Sequence, residues 1–489
     1  MIYRTTIEKI KEYNEFDFPK DYSHLNNIPD FLEYIRSYNN MTAFIFPESK
    51  SKSYSDFYKD IEKVSTKMRA GGINKGDNVG IFCVKKYYTT VSSLAAMAFG
   101  AVAVMLPGID EVCLDRCDIV KVFTDEEICS YLTESEVTGQ LEPVQLLPDA
   151  PACIFFTSGT TGDRRASLLS HRNLIAGAYN GLFYRVKEVE CSMVALPLIH
   201  VFGYIRSLLR NILAGVTVCF NDTPEDIFHD FALYRPDETV LIPRQLEIVL
   251  AMMNRYGYDA TGGALKCIIT GAAGIPTYLY EEYMNYGIMV YPGYGLTEST
   301  NLTTGNPIPI KKPSSVGLTF NNIELSIDMS ENYDGSGEIL LRGDTVFLGY
   351  YKKGGRLDRT AFTEDGFFRT GDLGKLDKDG FLYITGRIKA LIPMPNGENI
   401  SPEEIEGKVS ELHQITGALL YYKDVVNIAE RGFVLEITMI KDMDANMSEQ
   451  VLKKVKAIVG QYEERYGAIR IVVRDTDFER TAAMKIKRP

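Results

Sequence analysis

Six consecutive residues, Thr157-Ser158-Gly159-Thr160-Thr161-Gly162, carry only hydroxyls and glycines, and Arg164 and Arg165 follow closely. Backbone N–H groups, hydroxyl donors and positive charge, with few bulky side chains in the way, suit a polyanion such as a triphosphate. Ile154-Phe155-Phe156 in front reads as the end of a buried strand, which favours a phosphate cradle over a solvated loop. Neither common nucleotide motif fits: no Gly-Lys-Ser/Thr closes the loop, and no G-x-G-x-x-G is present. Four further segments hold residues able to do chemistry: Gly293-Tyr294-Gly295-Leu296-Thr297-Glu298-Ser299, Thr370-Gly371-Asp372-Leu373, the apolar run around His200, and the basic stretch Arg480–Arg488. Taken singly, each has a plain alternative: a Gly-rich turn entering a helix, an Asp in a β turn, a core histidine and a solvated tail.

The elements that must position these residues can be read from periodicity. From about residue 50 to 300, helical segments alternate with short apolar strands. Tyr54–Ala70 is helical, and strands are expected at Val79–Cys83, Ser192–Leu196, Thr217–Phe220, Thr239–Ile242, Cys267–Thr270 and Gly287–Val290. A helix over Ser92–Phe99 should turn at Gly100 into a strand, and Leu174–Tyr184 should be a helix opened by the phosphate-loop turn. This rhythm predicts parallel α/β layers. After about residue 310, turn signals at Asp334-Gly335, Asp365-Gly366 and Asp379-Gly380 predict antiparallel β structure. Beyond Arg387, Ser401-Pro402-Glu403-Glu404 signals a helix start with a capping box, followed by a mixed α+β tail.

Bulk properties narrow the function. The chain has 489 residues, 45% hydrophobic and 24% charged, ordinary for a globular protein with two or more units. A net charge of −12 argues against nucleic acid as the main partner, although a nucleotide needs only a local positive site. The longest apolar stretch, Val91–Pro107, is too short and Gly-rich for a membrane span, and the charged N-terminus is no signal peptide. Eight cysteines without paired spacing and five histidines predict reduced thiols, no structural zinc and a cytoplasmic location.

Together these five segments and Gly271-Ala272-Ala273 resemble, in order and approximate spacing, those of the adenylate-forming superfamily, which includes acyl-CoA synthetases, firefly luciferase and stand-alone adenylation domains. The phosphate loop of that family reads T-S-G-T-T-G-x-P-K-G, so Arg164, Arg165 and Ala166 here replace a proline, a lysine and a glycine. The resemblance implies a large N-terminal α/β domain with a β-rich subdomain (1–386) and a small mobile α+β lid (387–489) hinged near Lys389. It implies that the loop and Arg165 hold the phosphates of ATP. It implies that Gly271-Ala272-Ala273 and the Tyr294 ring flank adenine, Thr297 contacts phosphate, Glu298 holds Mg²⁺, and Asp372 takes the ribose hydroxyls with Arg387 nearby. His200 falls at the gate of the acid pocket. Lys485 falls on the family's catalytic lysine, with Lys487 its nearest competitor; Met484 and Glu479 depart from the pattern R-T-x-x-G-K-I-x-R and its upstream proline.

The implied reaction has two steps: a carboxylate displaces pyrophosphate from ATP to give an acyl-adenylate, and a thiol then displaces AMP. Val201 stands where amino-acid-activating domains carry an Asp for the α-ammonium, which disfavours an α-amino acid. The segment Asn396–Glu406 is similar to forms found in fatty-acyl-CoA synthetases, so the expected substrate is a fatty or aryl acid and the expected acceptor CoA. Two alternatives accompany this reading: a ligase loading the phosphopantetheine of a carrier protein in trans, and a non-catalytic nucleotide-binding homologue, motivated by Arg165, Ala166 and Met484.

Overall fold

The computed structural model describes residues 2–13, 24–134, 144–157, 164–183, 189–333, 335–393, 399–423, 432–441, 443–480 and 486–488. A seven-stranded sheet runs in the order Arg356–Asp358, Gly349–Lys352, Ala166–Ser170, Pro151–Phe156, Val102–Met105, Asn78–Phe82, Ile119–Thr124. Its last four strands are parallel, while Ala166–Ser170 and Gly349–Lys352 run antiparallel to their neighbours in the ladder. A nine-stranded sheet is parallel through its centre, from Met289–Leu296 across to Thr42–Ile45. Helices such as Tyr54–Ala70 and Lys86–Ala98 pack between the sheets, and one apolar core takes Phe57, Leu94 and Phe155 from this layer. The α/β expectation holds.

A five-stranded sheet, joined by the N-terminal Ile2–Tyr3, is built from Ile323–Tyr333, Ser336–Gly343, Phe368–Leu376 and Leu382–Arg387, all antiparallel. Gly335 and Asp379-Gly380 lie in the turns of two of these antiparallel pairs, whereas Asp365-Gly366 sits between strands of different sheets and is flanked only by an isolated bridge of Phe362 with Phe368. Beyond it, Ile415–Lys423, Gly432–Met439 and Ile469–Val473 form a three-stranded sheet covered by helices Pro402–Ser410 and Ala445–Tyr466. Their apolar cluster, including Ile405, Leu420, Leu435 and Val455, draws on no buried residue before Ile400.

Four local expectations are corrected. The helix ahead of Gly100 begins at Lys86, six residues earlier than the apolar run suggested. Its polar Thr89, Thr90, Ser92 and Ser93 are accommodated because each hydroxyl donates to a carbonyl of the same helix. The phosphate-loop segment does not open a helix. It is the connection of a hairpin between Pro151–Phe156 and Ala166–Ser170, and the helix follows as His171–Asn180. Ser170 and Asn173 cap it reciprocally, the Ser170 hydroxyl accepting from the Asn173 N–H at 3.1 Å and Asn173 Oδ1 from the Ser170 N–H at 2.8 Å. Gly293–Leu296 is strand rather than turn, and only a single 3₁₀ turn, Thr297–Ser299, follows it. Finally, Ser401 precedes Pro402 as expected but makes no capping bond; its hydroxyl donates to the Thr385 carbonyl at 2.7 Å instead.

Candidate active site

The base of the phosphate-loop hairpin is closed by the Thr157 N–H donating to the Arg165 carbonyl at 2.9 Å. Among the described residues a strand, Ala166–Ser170, and not a helix follows this loop. Arg116 ties the hairpin down from outside by donating to the Arg164 carbonyl. Ser158, Gly159, Thr160, Thr161 and Gly162 lie outside the described residues.

Arg165 is aimed by the neighbouring strand. Gly349–Lys352 pairs with Ala166–Ser170 so that Tyr350 sits opposite Ser167, and the Arg165 guanidinium rests 5.0 Å from the centre of the Tyr350 ring. The Tyr350 hydroxyl in turn donates to Glu298 Oε1 at 2.7 Å. One phenol therefore bridges the cation of the phosphate loop and the carboxylate of the Thr297–Ser299 turn. Burial raises the Glu298 carboxyl above its ordinary value, and the Tyr350 hydrogen bond opposes that rise. Tyr350 was not singled out from the sequence; its only signal is the preceding Gly349, held at φ +143° against Leu357, Asp358 and Arg359.

A second cluster faces this one. Asp372 lies on Phe368–Leu376 directly opposite Arg387 on Leu382–Arg387, with Arg387 Nε 2.6 Å from Asp372 Oδ1. The Tyr294 hydroxyl donates to Asp372 Oδ2 at 2.8 Å. Asp372 is buried and Tyr294 nearly so, whereas the Arg387 side chain is half-exposed at 47%. The Asp372 charge raises the Arg387 guanidinium further above its ordinary value, and the field of Arg387 also reaches Glu298.

Gly271 ends the strand Cys267–Thr270 and is buried against the next strand: a Cβ there would meet the Gly293 carbonyl at 2.9 Å. Ala272 and Ala273 are exposed beyond it, and Ala272 holds φ +72°, a left-handed conformation costing an L-residue about 1–2 kcal/mol. Phe202 Cζ lies 3.6 Å from the same Gly271 position, bringing the His200 segment alongside. His200 precedes the π-helix Phe202–Leu209 and is capped into it by the Tyr204 N–H donating to its carbonyl at 2.9 Å. Burial, then the positive charge of Arg164, lowers its imidazole below the ordinary value, so it is neutral at pH 7.

The structure links Arg165, Tyr350 and Glu298 in one cluster and Tyr294, Asp372 and Arg387 in another, with the charge of Arg387 felt at Glu298, and it sets Gly271 against Gly293 and Phe202. Lys485 lies outside the described residues. Lys487 is exposed, its amine 3.3 Å from Glu479 Oε2. Among the described residues no cluster of three His, Cys, Asp or Glu could hold a metal ion. No helix among the described residues is long and apolar enough to cross a membrane.

The profile described as "AMP-binding enzyme" matches residues 31–138 and 112–351. The 2-succinylbenzoate–CoA ligase of Bacillus cereus is 27% identical over 389 residues, covering 73% of this chain and 78% of that protein. The sulfoacetate–CoA ligase of Cupriavidus necator is 33% identical over 283 residues, 55% of this chain and 53% of that one. Among solved structures, O-succinylbenzoate coenzyme A synthetase from Bacillus subtilis in complex with ATP and magnesium ion superposes with a TM-score of 0.75 at 22% identity, covering 94% and 98% of the two chains. ATP-bound MatB from Rhodopseudomonas palustris gives 0.78 at 20% identity over 94% and 97%. At these identities the likeness is one of fold.

Proposed function

Because the chain belongs to the AMP-binding enzyme family, we propose that it is an AMP-forming acid–thiol ligase that activates a fatty or aryl carboxylic acid and passes the acyl group to CoA. The observation that carries this reading is the coupling of two clusters, Arg165–Tyr350–Glu298 and Tyr294–Asp372–Arg387, through the charge of Arg387 at Glu298. In the first step a carboxylate oxygen of the acid forms a bond to the α-phosphorus of ATP and pyrophosphate departs. In the second, the thiolate attacks the acyl carbon and AMP leaves with the bonding pair.

The chain's own residues hold and neutralise rather than react, since the charge that moves is on phosphate oxygens. Asp372 accepts from the ribose hydroxyls, a task for which its acceptor-only carboxylate is suited. The Tyr294 ring and the small Gly271–Ala273 segment flank the base. Arg165 bears on the phosphates, steadied by the Tyr350 ring beneath it. Neutral His200 gates the acid's carboxylate without adding a charge that would hold it back. Glu298 would hold a magnesium ion: its carboxylate is a hard oxygen donor, oriented by the Tyr350 hydroxyl. When bound, that ion supplies charge neutralisation on the phosphates. Lys485, from the lid, is assigned the meeting point of carboxylate and α-phosphate, and the lid beyond Arg387 is proposed to swing about Lys389 between the steps. A cytoplasmic location completes the proposal.

The test is ATP–pyrophosphate exchange across a panel of acids, followed by CoA and, separately, a phosphopantetheinylated carrier protein as acceptor. Exchange with at least one fatty or aryl acid, and thioester with CoA, is expected. Measurable ATP binding with no exchange for any acid would overturn the proposal.

A further inference from the structure

We infer that Glu411, on the lid, is a positioning residue for the nucleotide: it holds the far end of the adenine-side segment Gly271–Thr277, so that the place of the lid sets the affinity for AMP. This rests on the reading above that Gly271–Ala273 flank the base. The segment leaves the strand Cys267–Thr270 with Gly271 buried against the Gly293 carbonyl. Ala272, Ala273 and Gly274 are then exposed and exchange no hydrogen bond among the described residues. Ala272 nevertheless holds a left-handed φ of +72°, which an L-residue keeps only where its surroundings fix the chain on both sides. Gly271 is one of those fixed points.

The other is Thr277, where the helix Tyr278–Asn285 begins. Leu279, Tyr280 and Tyr283 bury that helix from its second residue onward, but its first turn has no capping side chain of its own. Glu411 supplies the acceptor from the lid: its Oε2 accepts the Thr277 N–H at 2.7 Å and the Thr277 hydroxyl at 2.6 Å. A carboxylate is favoured there, because the unpaired N–H groups at a helix start carry partial positive charge. Beside this grip the His413 ring meets Tyr278 edge to face, with centroids 5.2 Å apart. Glu411 closes the helix Pro402–Ser410, whose other end is tied at the hinge side, Ser401 donating to the Thr385 carbonyl at 2.7 Å. The helix is thus a strut of roughly 15 Å, at about 1.5 Å per residue, from the strand preceding Lys389 to the adenine-side segment. The lid's apolar cluster takes nothing from before Ile392, so the grip on Thr277 can part without opening a core. A swing about Lys389 carries Glu411 off Thr277, returns the Thr277 amide to water and loosens the segment that flanks the base.

Titration calorimetry with AMP and, separately, with pyrophosphate, which lacks the base, tells positioning of the base from a general loss of structure. Glu411→Ala should raise the Kd for AMP about fivefold, the scale of an exposed charged contact, and leave that for pyrophosphate unchanged. Thr277→Val keeps the N–H and loses the hydroxyl, so it should raise the AMP Kd roughly two- to threefold. The double variant should lose no more than Glu411→Ala alone, because both act through one contact. Glu411→Gln, which keeps an acceptor oxygen without the charge, should fall between the native protein and Glu411→Ala. Native AMP affinity in Glu411→Ala, an equal loss for AMP and pyrophosphate, or additive losses in the double variant would overturn the inference while leaving adenylation standing. Failure of the native protein to bind AMP would instead overturn the nucleotide reading and this inference with it.

Discussion

Replacement of Asp372 by asparagine tests whether this carboxylate holds the ribose. A carboxylate offers about four acceptor positions on two oxygens. Tyr294 donates to Oδ2 at 2.8 Å, while Oδ1 lies 2.6 Å from Arg387 Nε as an ion pair without a hydrogen bond, which leaves at least two positions for the ribose hydroxyls. The substituted amide would have a single acceptor oxygen, and Tyr294 and Arg387 would compete for it. Both ribose bonds are therefore lost. Each hydrogen bond to a charged acceptor contributes about 1.5–3 kcal/mol. The lower figure applies, because Arg387 is half-exposed and the cleft is open to water there, giving a loss of about 3 kcal/mol or roughly a hundredfold in affinity. Titration calorimetry with ATP and with 2′,3′-dideoxy-ATP reads this directly. The native protein should prefer ATP by about that factor, and Asp372→Asn should bind both equally weakly. A variant that binds ATP as the native protein does, or that keeps the preference, would refute the assignment.

Three other outcomes are expected. Tyr350→Phe removes only the hydroxyl between Arg165 and Glu298; KM for Mg·ATP should rise five- to tenfold, about 1 kcal/mol, and a change in thermal stability without a change in KM would count against the bridge. Lys389→Pro should spare pyrophosphate exchange and cut thioester formation at least tenfold, because the hinge turn Ile388–Ala390 would lose its freedom; equal losses in both steps would remove Lys389 from the hinge. His171 is fully buried, accepts the Ile28 N–H at 3.2 Å through Nδ1, and is lowered by burial from 6.5 to about 4. The unfolded chain binds that proton first, so stability is complete above pH 6.5 and falls by about 3 kcal/mol as the pH drops toward 4. Urea unfolding across that range should show the slope in the native protein and a flatter profile in His171→Gln; identical slopes would assign the acid sensitivity elsewhere.

The parts of the site that sequence reading reached are those whose chemistry is concentrated in a few adjacent residues. A run of hydroxyls and glycines, or a Gly-flanked Asp before a hairpin, announces itself locally, and Tyr54–Ala70 does so through its 3.6-residue period. What escaped depends on strands meeting from distant parts of the chain. Ala166-Ser167-Leu168-Leu169-Ser170 has no β-branched residue and no alternation, so nothing local marks it as a strand; it becomes one because Pro151–Phe156 on one side and Gly349–Lys352 on the other supply its partners. That pairing converts an expected strand-to-helix phosphate loop into a hairpin and places Tyr350 under Arg165 across 185 positions of sequence. The arginine that departs from the family pattern thus sits on a ring suited to a planar guanidinium, where a lysine would give up the stacking area. Arg165 is therefore better understood together with Tyr350 than as a lone substitution, and the pair retains the positive charge that the phosphates require.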